Sequence, residues 1–145
     1  MTEGMMWKGE NMNSESPSSS AITWFYYKEL GQAAEFYGET MGFELVVNQV
    51  WTRIYRANEG AFLGIVAGEN GFCQPQERNA VLFTLVVKDV APWFDRLKAR
   101  GADLLTEIEE KEDIQVRCFF LKDPGGYSIE VQQFLDPAVS QHFVS

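Results

Sequence analysis

Hydrophobic and polar residues alternate in short runs along much of the chain, and a helical pattern follows the first run. Residues 22–27, 43–50, 51–56 and 61–67 are rich in aromatic and β-branched side chains, which predicts four strands. Between the first two strands, the apolar positions of residues 31–42 recur at spacings near three and four. This spacing predicts a short helix that ends at Gly42. The first part of the chain therefore predicts the order βαβββ.

The same order of elements returns later in the chain. Residues 80–87 predict a strand, and residues 90–100 predict a helix with Asp89 as its N-cap and Gly101 at its end. Three further strands are expected at 104–110, 114–121 and 127–134. An order of elements that is repeated in pattern and not in identity indicates duplication inside one domain.

We predict a single domain over residues 21–135. It consists of a first module at 21–67 and a second at 80–135, joined by a polar, Gly-rich linker at 68–79. A flexible leader, residues 1–20, and a tail, residues 136–145, are expected on either side. The predicted fold class is α+β, in which two βαβββ modules form a curved eight-stranded mixed sheet with the helices outside and a concave pocket inside.

Strand periodicity predicts which side chains line this pocket, because successive residues of a strand point to opposite faces. The last strand follows a turn that contains Pro124 and two glycines. Its polar face carries Ser128, Glu130 and Gln132, with Glu130 in mid-strand. A slip of one residue would exchange the two faces of any strand. The residues assigned to the concave face are Ile22, Trp24, Tyr26, Leu82, Thr84, Val86, Ser128, Glu130 and Gln132.

Composition narrows the classes of function. The net charge of −9 and the absence of a run of basic residues argue against nucleic acid as a partner. No apolar run approaches the roughly 20 residues that span a bilayer, and residues 1–20 lack the apolar segment of a signal peptide. Cys73 and Cys118 form no CxxC pattern, so we expect reduced thiols and a cytoplasmic protein. The lone histidine, His142, is expected to be an exposed tail residue.

Three stretches resemble the vicinal oxygen chelate superfamily, which includes glyoxalase I, bleomycin-resistance proteins and extradiol dioxygenases. They are Tyr-Lys-Glu-Leu-Gly-Gln-Ala-Ala-Glu-Phe-Tyr-Gly-Glu-Thr-Met-Gly-Phe at 27–43, Lys-Asp-Val through Leu-Lys-Ala-Arg-Gly at 88–101, and Phe-Leu-Lys-Asp-Pro-Gly-Gly-Tyr-Ser-Ile-Glu at 120–130. The resemblance covers residues 21 to 134 and implies the fold predicted above. It does not imply one function, because this superfamily contains lyases, dioxygenases, epimerases and metal-free binding proteins.

The resemblance also identifies the positions of the family's metal ligands. They correspond to Ile22, Leu82 and Glu130, and a fourth-strand position falls near Gly64 and Ile65. Only Glu130 can coordinate a cation, whereas an open enzymatic metal site needs about three protein ligands. We therefore expect no metal and no other cofactor.

Glu130 is the only catalytic candidate, and three roles remain open for it. The first role is a structural ion pair with Arg53, Arg56 or Arg117, the second is binding of a cationic ligand, and the third is general-base catalysis. Aromatic residues in the first module have two interpretations. Trp24, Tyr26, Trp51 and Tyr55 form either a cage for a flat or cationic molecule or part of the core and a dimer interface.

The favoured function is a metal-free binding protein of the glyoxalase/bleomycin-resistance type that sequesters a small aromatic or cationic organic compound. The alternative is a metal-dependent lyase, isomerase or dioxygenase with a rearranged metal site, and a third is a structural or regulatory module whose own side chains fill the pocket. A homodimer is implied by the resemblance, since family members of this size are commonly dimers. The expected ligand-binding residues are Glu130, Ser128, Gln132, Trp24, Tyr26, Arg53, Arg117 and Thr84.

Overall fold

The computed structural model describes residues 18–143, so most of the predicted leader lies outside the described residues. The described strands are β1 (Ala21–Tyr27), β2 (Glu44–Asn48), β3 (Thr52–Asn58), β4 (Ala61–Ala67), β5 (Leu82–Val86), β6 (Asp103–Leu104), β7 (Glu109–Lys111), β8 (Val116–Lys122) and β9 (Ser128–Phe134). The helices are α1 (Leu30–Glu35), which continues as a π-helical segment (Phe36–Thr40), α2 (Val90–Ala99) and α3 (Pro137–Ser140). Within residues 18–143, none of these helices has the length and apolar character needed to cross a membrane.

The strands form two mixed sheets with the same internal topology. The first has the order β1-β4-β3-β2, and the second has the order β5-β9-β8-β6, with β7 also paired to β8. In each module the first strand runs parallel to the last, and the remaining pairs are antiparallel. The predicted α+β class and the two βαβββ modules are confirmed. The strands, however, are divided between two sheets and not joined in one.

The predicted sixth strand, 104–110, is divided into β6 and β7. At the break, Leu105 still donates its N–H to the carbonyl of Phe120, at 2.8 Å. The N–H of Phe120 then donates to the hydroxyl of Thr106, at 3.1 Å, and not to a backbone carbonyl. A side-chain acceptor therefore takes one position of the ladder, which interrupts the strand.

The predicted helix ends are confirmed. The Asp89 carboxylate accepts a hydrogen bond from the N–H of Ala91 at 3.1 Å, as an N-cap does. Gly42 and Gly101 follow the helical segments of the two modules, and both have φ of +77°, which favours glycine. The two modules thus end their helical segments with the same backbone device.

The helix-facing sides of both sheets share one hydrophobic core. In β1 the predicted alternation is confirmed, because Phe25 and Tyr27 are buried whereas Ile22 and Trp24 are 40% and 38% exposed. Phe25 stacks on Tyr127 of the second module at 4.0 Å between ring centroids. The core therefore joins the two modules directly.

A buried polar group also joins the modules. The phenol hydroxyls of Tyr27 and Tyr37, from the first module, both donate to Oδ2 of Asp123, in the turn before β9. The other carboxylate oxygen of Asp123 accepts from the backbone N–H groups of Gly125 and Tyr127, at 2.9 and 2.8 Å. We call Tyr27, Tyr37 and Asp123 the Tyr–Asp network. It anchors the turn that leads to Glu130.

Candidate functional site

Glu130 occupies the centre of β9, between Thr84 of β5 and Phe120 of β8 in the sheet register. It lies on the face away from the helices, as predicted, and is only 9% exposed. The hydroxyl of Thr84 donates to Glu130 Oε1 at 2.8 Å. Thr84 is thus brought to Glu130 by the parallel pairing of the first and last strands of the second module.

The thiol of Cys118 is the second group at Glu130. Cys118 lies on β8 opposite Gln132 and is 1% exposed. Burial, the negative charge of Glu130 and a hydrogen bond to it raise the pKa of the Cys118 thiol to about 11. The thiol is therefore protonated at neutral pH and lies beside the carboxylate.

Sequence reasoning did not assign Cys118 to the site. The signal was present in the strand periodicity, since Phe119 and Leu121 are the residues of β8 that belong to the shared hydrophobic core. Their neighbours Cys118 and Phe120 must then face the other side, which is the side of Glu130.

The candidate arginines are engaged elsewhere. Arg53 donates to the backbone carbonyls of Gln49 and Thr52, at 2.8 and 3.0 Å. Arg56 and Arg117 pair with glutamates of adjacent strands, at 3.1 and 3.2 Å. Among residues 18–143, no lysine or arginine forms an ion pair with Glu130.

Arg117 cannot approach Glu130 in this register. It alternates with Cys118 along β8 and therefore lies on the helix-facing side of the second sheet. The structural Glu–Arg pair that the sequence left open is thus not formed by the described arginines. Neutral donors alone surround this carboxylate in the described part of the chain.

The other predicted residues of the second sheet flank Glu130 along β9. Ser128 pairs in register with Leu82, and Gln132 pairs with Val86. Leu82 is 47% exposed. The face therefore presents a carboxylate with polar neighbours on its own strand and apolar side chains on the adjacent strand.

The predicted aromatic residues of the first sheet are held in place by glycines. The Trp24 ring lies over Gly64 so closely that a Cβ at Gly64 would be 2.3 Å from ring atom Cε3. The Tyr26 ring lies against Gly71 of the linker, where an added Cβ would be 2.5 Å from ring atom Cε2. Each ring therefore packs directly against the backbone of a glycine, which has no side chain to hold the ring at a distance.

Of the four aromatic residues for which the sequence left a cage or a core role open, Tyr55 belongs to the core. Tyr55 is 3% exposed in the core, and its hydroxyl donates to the carbonyl of Ala34 at 3.2 Å. Trp51 immediately precedes β3, in the turn between β2 and β3, and is 39% exposed. No hydrogen bond or ring contact of the described residues links Trp24 or Tyr26 to Glu130.

The side chains at the family's metal positions do not fit a metal. Ile22 and Leu82 have no donor atom, and the fourth-strand position holds Gly64 beneath the Trp24 ring. Within residues 18–143, no three His, Cys, Asp or Glu side chains are grouped closely enough to share an ion. A single carboxylate with neutral hydroxyl and thiol neighbours is an incomplete ligand set.

A cavity of about 830 Å³ lies at the end of β1, away from Glu130. Sequence reasoning did not predict it, because three segments far apart in the chain build its walls. They are the β1–α1 junction, the linker and the turn before β9. The lining residues include Tyr26, Lys28, Glu29, Gln32, Pro75, Glu77 and Gly125.

His142 lies near the end of the described chain, as expected. It is exposed, and its ring is 6.5 Å from that of Phe143. Phe143 in turn stacks on Phe134 of β9, at 4.7 Å between centroids. The histidine therefore belongs to a tail that folds back on the end of β9 and contributes nothing to the environment of Glu130.

Comparisons with solved structures agree on the fold. A glyoxalase/bleomycin resistance protein/dioxygenase from Nocardioides superposes with a TM-score of 0.70, at 16% identity over 88% of this chain and 90% of that chain. A glyoxalase-related enzyme from Fulvimarina pelagi gives 0.66, at 24% identity over 78% and 86%. A lactoylglutathione lyase from Agrobacterium tumefaciens gives 0.66, at 19% identity over 81% and 96%.

The sequence comparisons give the family. No curated protein matches the chain significantly. The model of one superfamily matches residues 21–131, a range that begins at the start of β1 and extends into β9, one residue beyond Glu130. The chain therefore belongs to the Glyoxalase/Bleomycin resistance protein/Dioxygenase superfamily, the vicinal oxygen chelate superfamily.

Proposed function

We propose that the protein is a metal-free binding protein that captures a small organic cation with an aromatic part, acting in the cytoplasm as a homodimer. The observation that carries this proposal is Glu130, a buried carboxylate whose partners in the described chain are a hydroxyl and a thiol. Its family counterparts hold a metal together with other ligands, and those ligands are replaced here by Ile22 and Leu82.

The charge of Glu130 supports a cationic ligand. An ionised carboxylate that is removed from water is costly unless a positive group or several donors compensate it. Thr84 supplies a neutral donor and Cys118 a neutral thiol, whereas Arg53, Arg56 and Arg117 are engaged elsewhere. A ligand ammonium or amidinium group would complete the compensation.

Exposed apolar side chains on the open faces of the two sheets support an aromatic part in the ligand. Leu82, beside Ser128, is 47% exposed, and Ile22 and Trp24 on the first sheet are 40% and 38% exposed. Apolar and aromatic surface with few polar groups is typical of small-molecule sites. An indole face also attracts cations.

The same exposed side chains support the homodimer. Large apolar residues on the open faces of both sheets are candidates for burial against a second copy, which would enclose the ligand between subunits. In sedimentation at micromolar concentration, we expect a species of about twice the 16.5 kDa chain mass. A purely monomeric protein would refute this part of the proposal without affecting ligand binding.

Isothermal titration with a panel of planar organic cations tests the ligand class. We expect at least one compound to bind the wild-type protein, and Glu130→Gln to weaken it about tenfold or more, as expected from a lost charge-assisted hydrogen bond of about 1.5–3 kcal/mol. Glu107→Gln is the matched control, since it removes the same charge from an exposed position of the same module. Equal affinity of Glu130→Gln and wild type, or silence across the panel, would overturn the proposal.

Metal analysis separates the proposal from metal-dependent lyase, isomerase or dioxygenase activity. We expect protein purified without chelators to contain much less than one equivalent of any transition metal. About one equivalent that is lost in Glu130→Gln would instead establish a metal site in which Glu130 is one ligand.

A further inference from the structure

A groove lined by three arginines lies where α2 meets the first module. Its volume is about 360 Å³, and none of its lining residues belongs to the Glu130 site. The lining residues are Met41, Gly42, Phe43, Arg56, Ala57, Trp93, Arg96 and Arg100. Three guanidinium groups at one groove are notable in a chain whose net charge is −9.

Arg96 has hydrogen-bonding capacity that the protein does not use. Its guanidinium carbon lies 4.1 Å from the centre of the Trp93 ring, which holds the side chain against the helix. Its Nε atom is buried and has no acceptor within residues 18–143. A buried donor on a charged group is costly when unpaired, so an acceptor from outside the chain would stabilise it.

Arg100 is held in place by the first module. Its Nη1 donates to the carbonyls of Glu39 and Thr40, both at 3.1 Å, at the end of the π-helical segment. An added Cβ at Gly42 would be 3.7 Å from the same nitrogen. These contacts occupy only Nη1 of the guanidinium group. Both acceptors are backbone carbonyls, so no carboxylate neutralises the positive charge in these contacts.

Arg56 supplies the third cation from β3. Its Nε pairs with Glu44 at 3.1 Å, in a contact where both side chains are largely exposed. Exposed ion pairs contribute little to stability and are readily exchanged. Glu44 is the one carboxylate in the described ion pairs of these three arginines, so three positive charges face one negative charge.

We propose that this groove binds a small molecule through a phosphoryl group. Arginine presents two parallel N–H donors that match the oxygens of phosphate, and a phosphoryl group offers several oxygens and a double negative charge to three such partners. A single carboxylate has two oxygens and one charge, and it would leave one or more of the guanidinium groups unpaired. The groove thus takes an anion, whereas the Glu130 site is proposed to take a cation.

Isothermal titration with inorganic phosphate and with pyrophosphate, at low ionic strength, is the experiment. Titration with acetate tests whether a carboxylate binds as well as phosphate does. Titration with sodium chloride controls for the screening of charges by salt. We expect saturable binding of a phosphate probe at one site per chain, acetate to bind more weakly, and the affinity to fall as salt is raised.

Arg96→Gln is expected to weaken phosphate binding at least tenfold, and Arg96→Lys is expected to weaken it as well, because lysine keeps the charge but lacks the planar fork. Arg78→Gln, at an exposed linker position, removes the same charge and is expected to leave the affinity unchanged.

Urea unfolding of each variant checks that the fold is intact. The absence of saturable binding to wild type, or equal losses in Arg96→Gln and Arg78→Gln, would overturn the proposal. Titration of the Glu130→Gln variant with phosphate distinguishes the two sites, because this variant is expected to bind phosphate with wild-type affinity.

Discussion

Replacement of Asp123 by alanine is the strongest test of how the two modules are held together. The Asp123 carboxylate is 5% exposed and accepts four hydrogen bonds, from two phenols of the first module and two N–H groups of its own turn. Alanine removes the acceptor and leaves all four donors in place. The donors of the first module are Tyr27 and Tyr37.

The expected loss of stability depends on which of the four donors can form a hydrogen bond to another acceptor. The N–H of Gly125 lies in an exposed turn and can bond to water. The two phenol oxygens are already 3.5 Å apart, so one hydroxyl can donate to the other. One phenol and the N–H of Tyr127 are then left unpaired in the interior, each at a cost of about 1–3 kcal/mol. We expect Asp123→Ala to lower the free energy of unfolding by about 3–4 kcal/mol.

Urea unfolding followed by circular dichroism measures this change, provided that the dependence on urea concentration stays that of wild type. Asp89→Ala is the matched control, because it also removes an aspartate that accepts a backbone N–H, but at an exposed N-cap. Its expected cost is about 1 kcal/mol. Tyr37→Phe removes one of the four donors and is expected to cost about 1–2 kcal/mol, so the test remains decisive if Asp123→Ala does not fold.

The reasoning would be refuted if Asp123→Ala were no more destabilising than Asp89→Ala. It would also fail if Tyr37→Phe cost the same in the wild-type and Asp123→Ala backgrounds, since residues that share a hydrogen bond should show a coupling energy.

Three further outcomes are expected. Cys73 is exposed and Cys118 is buried with a pKa of about 11, so Ellman's reagent should label one thiol in the native protein and two after denaturation; two rapid labelling events in native protein would contradict the burial of Cys118. Burial raises the pKa of both phenols of the Tyr–Asp network, so they stay protonated in the folded state while they ionise in the unfolded state above pH about 10. Their contribution to stability is therefore complete below pH 10, and the free energy of unfolding should fall above it by up to about 1.4 kcal/mol per pH unit for each phenol; an unchanged urea midpoint between pH 9 and 11 would argue against it. Gly64→Ala places a methyl group 2.3 Å from the Trp24 ring and should cost about 1–3 kcal/mol in urea unfolding, whereas Gly60→Ala, which meets no atom within 4 Å, should change stability by less than about 1 kcal/mol.

The elements and faces of this protein follow from short-range patterns. The strand and helix order, the Asp89 cap and the glycines after both helical segments were predicted from residues within a few positions of one another. The alternation that buries Phe25 and exposes Trp24 was predicted in the same way. These features depend on backbone geometry, whose periods of about 2 and 3.6 residues are properties of the strand and the helix themselves.

The division into two sheets was not predicted. The sequence shows where strands occur but not how they are paired, and the break between β6 and β7 depends on a hydroxyl of Thr106 that meets Phe120 across the sheet. Strand pairing depends on side chains that are distant in the chain, so its interruptions have no local signal.

The partners of Glu130 were likewise decided by tertiary structure. The carboxylate and the face on which it lies were predicted from the sequence, whereas its pairing with Thr84 and Cys118 required the register of β5 and β8 against β9. That register turns Arg117 to the opposite face. The same holds for the arginine groove, whose Arg56 and Arg96 come from different modules. The sequence by itself thus determined the elements, their faces and the absence of ligand side chains at Ile22 and Leu82, because these are local properties. Only the packed structure decided which charges are paired and which are left for a ligand, because charge pairing depends on contacts between segments that are far apart in the chain.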